Sequence, residues 1–253
     1  MSPAFFSIYL DELVKTLRRS GIGCKIQNYY YGILCYADDI ILLCPSTKGL
    51  TQMVEYCEKY GQKFNLSFSV NEVNPEKSKC QLITFSRRGN ETFQGDLKLK
   101  GVPLPTATMT KHLGHYLTSN CSTDHDTVIK KCQFISKCHN ILQEFHYAHP
   151  DTKIKLINIY CCSLYSSPLW DLYGQECQKL FNQWNVLIRT AWEVRRETHR
   201  RFIEGISESD HLKKILCTRS INFYKCLLKS EKESVRFLAN QQSSTHKVYL
   251  GKI

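Results

Sequence analysis

Hydrophobic residues recur every three or four positions in two stretches near the start of the chain, and this period predicts two amphipathic helices. The first covers Ser2–Arg19, where a serine followed by a proline is typical of a helix start and Gly21 of its end. The second begins after Ser46 or Thr47, either of which can cap it. Its apolar face consists of Leu50, Met53, Val54, Cys57 and Phe64.

The segment between these helices, residues 32–45, reads GILCYADDIILLCP and places two aspartates inside an apolar run. Its flanks, Ile33–Cys35 and Ile40–Leu43, are typical of buried strands. Ala37, Asp38 and Asp39 are predicted to form the turn between them. Buried carboxylates are costly without a partner, hydrogen bonds or a metal ion. Aspartate is common in ordinary hairpin turns, but the apolar flanks favour a divalent-metal site at the rim of a core.

Alternating apolar residues predict further strands in the first half of the chain. They occur at Leu66–Val70, Cys80–Phe85 and Leu113–Leu117, and Gly101 marks the turn of a hairpin over residues 97–102. After Asn120 the period becomes helical. The predicted helices cover residues 123–145, 154–169, 180–192 and 212–228.

The change of period at about residue 120 predicts an α+β fold with an all-helical second part. The expected domains are residues 1–120 and 121–240, followed by a polar, frayed tail over residues 241–253. The chain has 253 residues, of which 42% are hydrophobic, and this is enough for a sizeable core.

The charge balance favours a polyanionic partner. The chain has 34 lysines and arginines against 23 aspartates and glutamates, a net charge of +11. Such a balance is typical of nucleic-acid binding rather than membrane binding. No apolar run approaches the roughly 18 residues of a membrane span, and no secretory leader is visible. We therefore expect an intracellular protein, in the nucleus or the cytoplasm.

Thirteen cysteines, an odd number without regular spacing, favour reduced thiols. Zinc binding is an alternative, because Cys121 and His125 precede Cys132 and Cys138. No CxxC pair occurs, however, and Cys132 and Cys138 recur at helical spacing among apolar residues. The pattern favours core positions for both.

Several short motifs follow one another in a recognisable order. They are SPAFFSIYLDEL (Ser2–Leu13), YADD (Tyr36–Asp39), NPEKSK (Asn74–Lys79), Leu113-Gly114, WNVLIRTAW (Trp184–Trp192) and ETHRRF (Glu197–Phe202). In this order they resemble the reverse transcriptases of non-LTR (LINE-like) retrotransposons. The resemblance covers the second half of the polymerase palm and the helical, thumb-like region after it. It implies a partial palm, an antiparallel sheet with packed helices, followed by an all-helical region.

The resemblance implies two-metal nucleotidyl transfer with Mg²⁺ or Mn²⁺ in the complete polymerase. Asp38 corresponds to the principal metal ligand and Asp39 to an auxiliary one. Tyr36 is expected near the incoming nucleotide. Lys77 is expected beside the pyrophosphate, as a proton donor or charge partner, with Lys79 as the alternative.

The same resemblance implies contacts with nucleotide or primer at Ser2 and Pro3, and a primer-grip strand at Leu113 and Gly114. A further candidate surface comes from the residues themselves. It consists of Arg189, Arg195, Arg196, Arg200 and Arg201, which are interleaved with aromatic residues. Such a cluster can bind along a phosphate backbone, with the arginines supplying charge and the aromatic rings stacking. The alternative is that the arginines are solvated and the tryptophans lie in the core.

In the family, the fingers and the strand with the first catalytic aspartate lie upstream of the segment that corresponds to Ser2. The expected function is therefore a fragment of an RNA-directed DNA polymerase, inactive as this chain alone. The expected partners are an RNA template, a DNA primer and the N-terminal half of the element's polyprotein. The alternative is an inactive nucleic-acid-binding remnant. A palm-like nucleotide cyclase is disfavoured, because nothing in the sequence resembles its signature.

Overall fold

Short antiparallel hairpins and amphipathic helices build the protein, which has the expected α+β fold. The computed structural model describes residues 3–71, 73–74, 78–86, 95–199, 201–202, 205 and 211–250, with side chains from residue 6 to residue 241. In this part of the chain the helices are α1 (Pro3–Ser20), α2 (Thr47–Phe64), α3 (Asp124–Glu144), α4 (Pro150–Tyr160), α5 (Gln175–Ala191), α6 (Leu212–Leu228) and α7 (Glu233–Leu250).

The described strands form four two-stranded antiparallel hairpins. These are β1 (Lys25–Ile26) with β2 (Tyr29–Tyr30), β3 (Ile33–Tyr36) with β4 (Asp39–Leu42), β5 (Lys98–Leu99) with β6 (Val102–Pro103), and β7 (Met109–His112) with β8 (His115–Thr118). The chain divides into two compact units, one up to Thr108 and one from Met109.

In the first unit, α1 and α2 enclose a core that supports the β3–β4 hairpin. The side chains that fill this core are almost fully buried, and burial of one such side chain contributes roughly 1.5–3 kcal/mol. They include Leu10, Leu13, Leu17, Ile33, Met53 and Cys57. The Tyr60 hydroxyl donates to the carbonyl oxygen of Tyr9, which ties α2 to α1. Strand β3 also contacts α1 directly.

The cap of α2 is Ser46 rather than Thr47. The Ser46 Oγ accepts a hydrogen bond from the Gly49 N–H at 3.1 Å, and Asn65 ends the helix in the left-handed conformation at φ 54°. A serine oxygen at this position satisfies one of the N–H groups that a helix start leaves unpaired.

The strands predicted at Leu66–Val70 and Cys80–Phe85 are wrong. In the described part of the chain neither segment forms a strand, and the bridge found there joins Leu82 to Thr106. Residues from both segments, Phe68 and Val70 from the first and Cys80 and Leu82 from the second, belong to a second small core beside α2. Alternation of apolar and polar residues therefore indicates a segment that packs one side against a core, and such packing does not require a neighbouring strand.

The second unit has a helical core, as the sequence pattern predicts. Its largest buried side chains come from α3, α4, α5 and α6, and include Phe134, Ile157, Leu180, Trp184, Leu187 and Leu216. The helix predicted over residues 154–169 ends earlier, at Tyr160. A turn with Leu164 at φ 27° and a short 3₁₀ segment, Ser167–Leu169, follow it. The proline at position 168 lacks the N–H that a continuing helix needs.

Two other features of the second unit differ from the sequence-based expectation. The β7–β8 hairpin packs on α3, so the compact units divide earlier than residue 120. The α7 helix continues through Leu250, past residue 241, where a frayed tail is expected. Over the described residues, every helix is too short or too polar to span a membrane.

One buried carboxylate joins three parts of the second unit. Asp126 lies in the first turn of α3 and is 0% exposed. Its Oδ1 accepts from the Tyr116 N–H at 3.1 Å, which attaches β8. Its Oδ2 accepts from the Ser166 hydroxyl at 2.5 Å and the Trp170 Nε1–H at 2.7 Å. The Nδ1 of His115 is 3.1 Å from the same oxygen.

These partners determine the charge state of Asp126. Burial raises the pKa of the Asp126 carboxyl, but the hydrogen bonds from Ser166, Trp170 and Tyr116 outweigh burial, and His115 adds to their effect. The net result is a pKa below the usual value of an aspartate. The carboxylate is therefore charged in the folded protein at neutral pH.

We expect the Asp126→Ala variant to lose about 3 kcal/mol of unfolding free energy, measured by chemical denaturation at pH 7. The substitution leaves the buried donors of Ser166 and Trp170 without their acceptor. The matched control is Asp124→Ala, because Asp124 lies in the same helical turn and is exposed. An equal loss in the two variants would contradict the role of Asp126.

The lowered pKa also fixes the direction of the pH dependence. A depressed carboxyl pKa stabilises the fold fully above the unfolded value of about 3.9, and this stabilisation is lost as the pH falls through the folded value. Stability of the wild type should therefore fall more steeply below about pH 4 than stability of Asp126→Ala.

Candidate active site and nucleic-acid interface

The β3–β4 hairpin places Asp38 and Asp39 at its tip, as the sequence predicts. The strands pair in register from Ile33 opposite Leu42 to Tyr36 opposite Asp39. Ala37 and Asp38 thus form a two-residue turn, and Asp39 is the first residue of β4. Ala37 has a φ of 50°, a conformation that favours glycine and costs free energy in an alanine.

Exposure varies strongly between the side chains of this hairpin. Ile33 is buried in the core between α1 and α2. On the opposite face, Leu34 is 46% and Tyr36 65% exposed, although both are large apolar side chains. Because side chains alternate along a strand, Tyr36 shares this outer face with Asp39, its cross-strand neighbour. The hairpin therefore presents acidic and aromatic groups on an open face.

Asp38 and Asp39 are both exposed, and their adjacent carboxylates are the hard oxygen donors that Mg²⁺ and Mn²⁺ prefer. Mg²⁺ is commonly held by one or two carboxylates together with substrate phosphates. The donor chemistry of the turn thus fits such an ion. Across the described residues, no group of three histidine, cysteine, aspartate or glutamate side chains is positioned to hold a metal.

The NPEKSK segment is described only in part. Lys77 lies outside the described residues, and so does Ser2; Pro3 starts α1, but its side chain is not described. Lys79 is exposed, and the buried Ser78 beside it accepts a hydrogen bond from the Asn71 N–H at 2.9 Å. This bond ties Ser78 to Asn71.

In the second unit, Leu113 and Gly114 form the turn of the β7–β8 hairpin and not a strand. Leu113 has a φ of 47° and Gly114 a φ of 78°, so both central residues of the turn are left-handed. Turns of this kind match the twist of the flanking strands, and they favour glycine. The predicted strand position of these two residues is therefore wrong, and the pair lies at an exposed hairpin tip.

The arginine cluster separates into two groups. Arg189 is partly buried, and its guanidinium donates to the carbonyl oxygens of Asn185 at 3.0 Å and Thr198 at 3.0 and 3.2 Å. Arg195, Arg196 and Arg201 are exposed, and Arg200 lies outside the described residues. Trp184 is in the core and Trp192 packs against it. The interior contacts of Arg189 make it a structural residue, and the three exposed arginines retain free surface for a ligand.

The cysteines of the predicted core positions differ in exposure. Cys138 is buried beside Cys161, and burial raises the pKa of both thiols, as expected of core residues. Cys132 is exposed, so its predicted core position is wrong, although it lies on the same helix. Burial likewise raises the pKa of Cys57, to about 12.

Sequence reasoning missed Asp126 and Tyr165. Asp126 is one of two acids in the first turn of α3, a place where solvated acids are common, and no local signal distinguishes it from Asp124. Tyr165 lies in a segment that the helical pattern assigned to a continuous helix. The serines and the proline after it could have indicated the turn.

A comparison with protein families finds a match for the first part of the chain. Residues 1–117 match the family model described as Reverse transcriptase (RNA-dependent DNA polymerase). The matched region includes the first unit and the β7–β8 hairpin up to Leu117. The comparison with curated proteins gives no match.

The contacts of Arg189 predict that it contributes to stability. We expect Arg189→Ala to lower the unfolding free energy by roughly 1–3 kcal/mol, because two backbone carbonyls lose a charged donor. The exposed Arg195 provides the control, and Arg195→Ala should change stability by less than about 0.5 kcal/mol. Chemical denaturation of both variants measures the difference. Equal stability of the two variants would show that the Arg189 contacts contribute nothing.

Proposed function

Because residues 1–117 match the reverse transcriptase family, we propose that the chain is part of a retrotransposon's RNA-directed DNA polymerase, of the non-LTR (LINE-like) type. The observation that supports this proposal best is the YADD hairpin, with two adjacent carboxylates at an exposed turn. The helical core beneath it fixes the base of the hairpin through Ile33. A metal-dependent polymerase needs carboxylates that are held in place before substrate arrives.

In this proposal Asp38 is the principal metal-binding carboxylate and Asp39 an auxiliary one. Bound Mg²⁺ or Mn²⁺ would supply activation of the primer 3′ hydroxyl and neutralisation of the leaving pyrophosphate. Tyr36 lies on the same face as Asp39, and its exposed ring offers a surface for the incoming nucleotide.

Further roles extend the proposal to other residues of the sequence, in both units. Lys77 acts as the charge partner or proton donor for the pyrophosphate, and Ser2 and Pro3 contact nucleotide or primer. Leu113 and Gly114, at a tight and exposed turn, contact the primer strand. Gly114 has no side chain, which allows close approach of a nucleic-acid backbone on its side of the turn.

The proposed partners are an RNA template, a DNA primer and the N-terminal half of the element's polyprotein. The net charge of +11 supports the polyanionic partners. The exposed apolar face of Leu34 and Tyr36 supports the protein partner, because a sheet face of this kind is normally covered. The proposed place of action is the nucleus or the cytoplasm.

A second candidate is nucleic-acid binding without polymerisation. This candidate is favoured by the small number of metal ligands at the hairpin. Among the described residues, Asp38 and Asp39 have no third metal-binding side chain near them. Two-metal catalysis uses carboxylates from more than one strand to hold both ions. In this reading the basic surfaces of the chain bind nucleic acid, and the YADD turn is retained from a polymerase.

We expect Mn²⁺ to bind weakly to the chain alone and more tightly with a deoxynucleoside triphosphate, whose phosphates add oxygen ligands. Asp38→Asn should weaken the triphosphate-dependent binding at least tenfold, as measured by electron paramagnetic resonance. Glu55→Gln, which alters an exposed carboxylate on α2, is the control. Equal binding by both variants would contradict a metal site at the turn.

The same preparation tests catalysis. We expect no primer extension by the chain alone in Mg²⁺ or Mn²⁺, because a single aspartate pair is too few ligands for two ions. Extension that disappears in Asp38→Asn would instead show a complete active site and reject the binding-only candidate.

Binding to primer–template should weaken steeply as salt increases. Each phosphate contact contributes roughly 0.7–0.9 to the slope of log affinity against log salt concentration. Replacement of Arg195, Arg196 and Arg201 by alanine should reduce the slope by the contribution of up to about three phosphate contacts. Asp38→Ala should leave the affinity unchanged or slightly higher. Fluorescence anisotropy across a salt series provides the measurement.

The matched control removes three exposed lysines elsewhere in the second unit, Lys137, Lys155 and Lys225. It changes the net charge by the same amount. If both triple variants reduce the slope equally, the arginine cluster is not a specific contact surface. If the wild type shows no salt-dependent binding, the proposed nucleic-acid function is wrong.

A further inference from the structure

Tyr165 holds an aromatic ring in solvent beside the tip of the β7–β8 hairpin. The side chain is 75% exposed, although its neighbours Leu164 and Ser166 are buried. A methyl group built on Gly114 would lie 4.0 Å from the Cδ1 of Tyr165, so the ring borders the glycine of the turn. An exposed ring on a backbone that is fixed on both sides loses little conformational freedom when a ligand binds.

The carboxylate of Asp126 holds the ring and the hairpin together. It accepts from the Tyr116 N–H in β8, two residues after Gly114, and from the Ser166 hydroxyl, one residue after Tyr165. Both segments are thus attached to the same buried group. The relative position of the two backbone segments, and so of the residues that carry the ring and the turn, is therefore set by this buried group.

The turn itself leaves space over its backbone. Gly114 has no side chain, and Leu113, which precedes it, is 40% exposed. The second unit has 21 lysines and arginines against 13 aspartates and glutamates, a net charge of +8. A polyanionic strand is therefore attracted to the unit that contains this ring.

We propose that Tyr165 stacks on an unpaired base of a nucleic-acid strand that crosses the Leu113–Gly114 turn. The ring is the aromatic platform of this surface, and Asp126 is the positioning residue that holds it. Every base has a face that can stack on an aromatic ring, so the contact tolerates any sequence. This inference rests on the proposed function and names the residue that contacts the strand.

The test is binding of a fluorescent single-stranded oligonucleotide at fixed salt. We expect Tyr165→Ala and Tyr165→Leu to weaken binding by about 5- to 100-fold, because both remove the ring, and Tyr165→Phe to bind like the wild type. The salt slope should not change in any of the three, because the ring has no charge. Tyr147→Ala is the matched control, since Tyr147 is also exposed, at 76%, in the connection between α3 and α4.

A second measurement reports stacking itself. An oligonucleotide with 2-aminopurine in place of one base should lose fluorescence on binding to the wild type and to Tyr165→Phe, and lose less on binding to Tyr165→Leu. Tyr165→Leu retains an apolar side chain of similar reach, and its melting temperature should equal that of the wild type because the ring is exposed. Unchanged affinity and quenching in Tyr165→Leu would overturn the inference.

The outcomes separate this inference from the proposed function. If the wild type binds with a steep salt slope and Tyr165→Ala binds equally well, the stacking role is wrong and the proposed function stands. If the wild type binds no oligonucleotide, both are wrong. If Tyr165→Ala abolishes self-association of the chain but not oligonucleotide binding, the ring contacts a second copy and the stacking role is again wrong.

Discussion

A carboxylate that is removed from water must be compensated by donors, and for Asp126 these donors come from separate parts of the chain. Strand β8, the buried turn at Ser166 and the indole of Trp170 all direct a hydrogen bond to it. Each of these buried donors loses its acceptor if the carboxylate is removed. The arrangement of hairpin, helix and turn in the second unit therefore depends on this one charge.

The acidic pair in the first unit differs from Asp126, because its carboxylates stay in solvent and need no buried donors. Asp38 and Asp39 remain exposed, and the protein fixes their position through the apolar base of the hairpin, where Ile33 enters the core. Ala37 adopts a left-handed conformation in the turn, which stores a small amount of strain at the tip. The apolar contacts that hold the hairpin thus lie away from the exposed carboxylates.

Sequence-based prediction failed where a local pattern had more than one structural outcome. Arg189 and Arg195 belong to the same cluster, yet only Arg189 reaches backbone carbonyls inside the unit. Alternation in Leu66–Val70 correctly indicated a face that is partly buried, but the segment does not form the predicted strand. Leu113 and Gly114 fit a strand by pattern, and their positive φ angles place them in a turn instead.

The sequence alone determined the helices α1 and α2, the β3–β4 hairpin and the acidic pair at its turn, because these depend on periodicity and turn chemistry within a few residues. Tertiary structure alone decided which polar and aromatic groups are buried. Asp126 and Asp124 are equivalent in local pattern, and only packing against Ser166 and Trp170 distinguishes them. The exposure of Tyr165 was decided in the same way. Burial depends on contacts between residues far apart in the chain, and such contacts leave no trace in local periodicity.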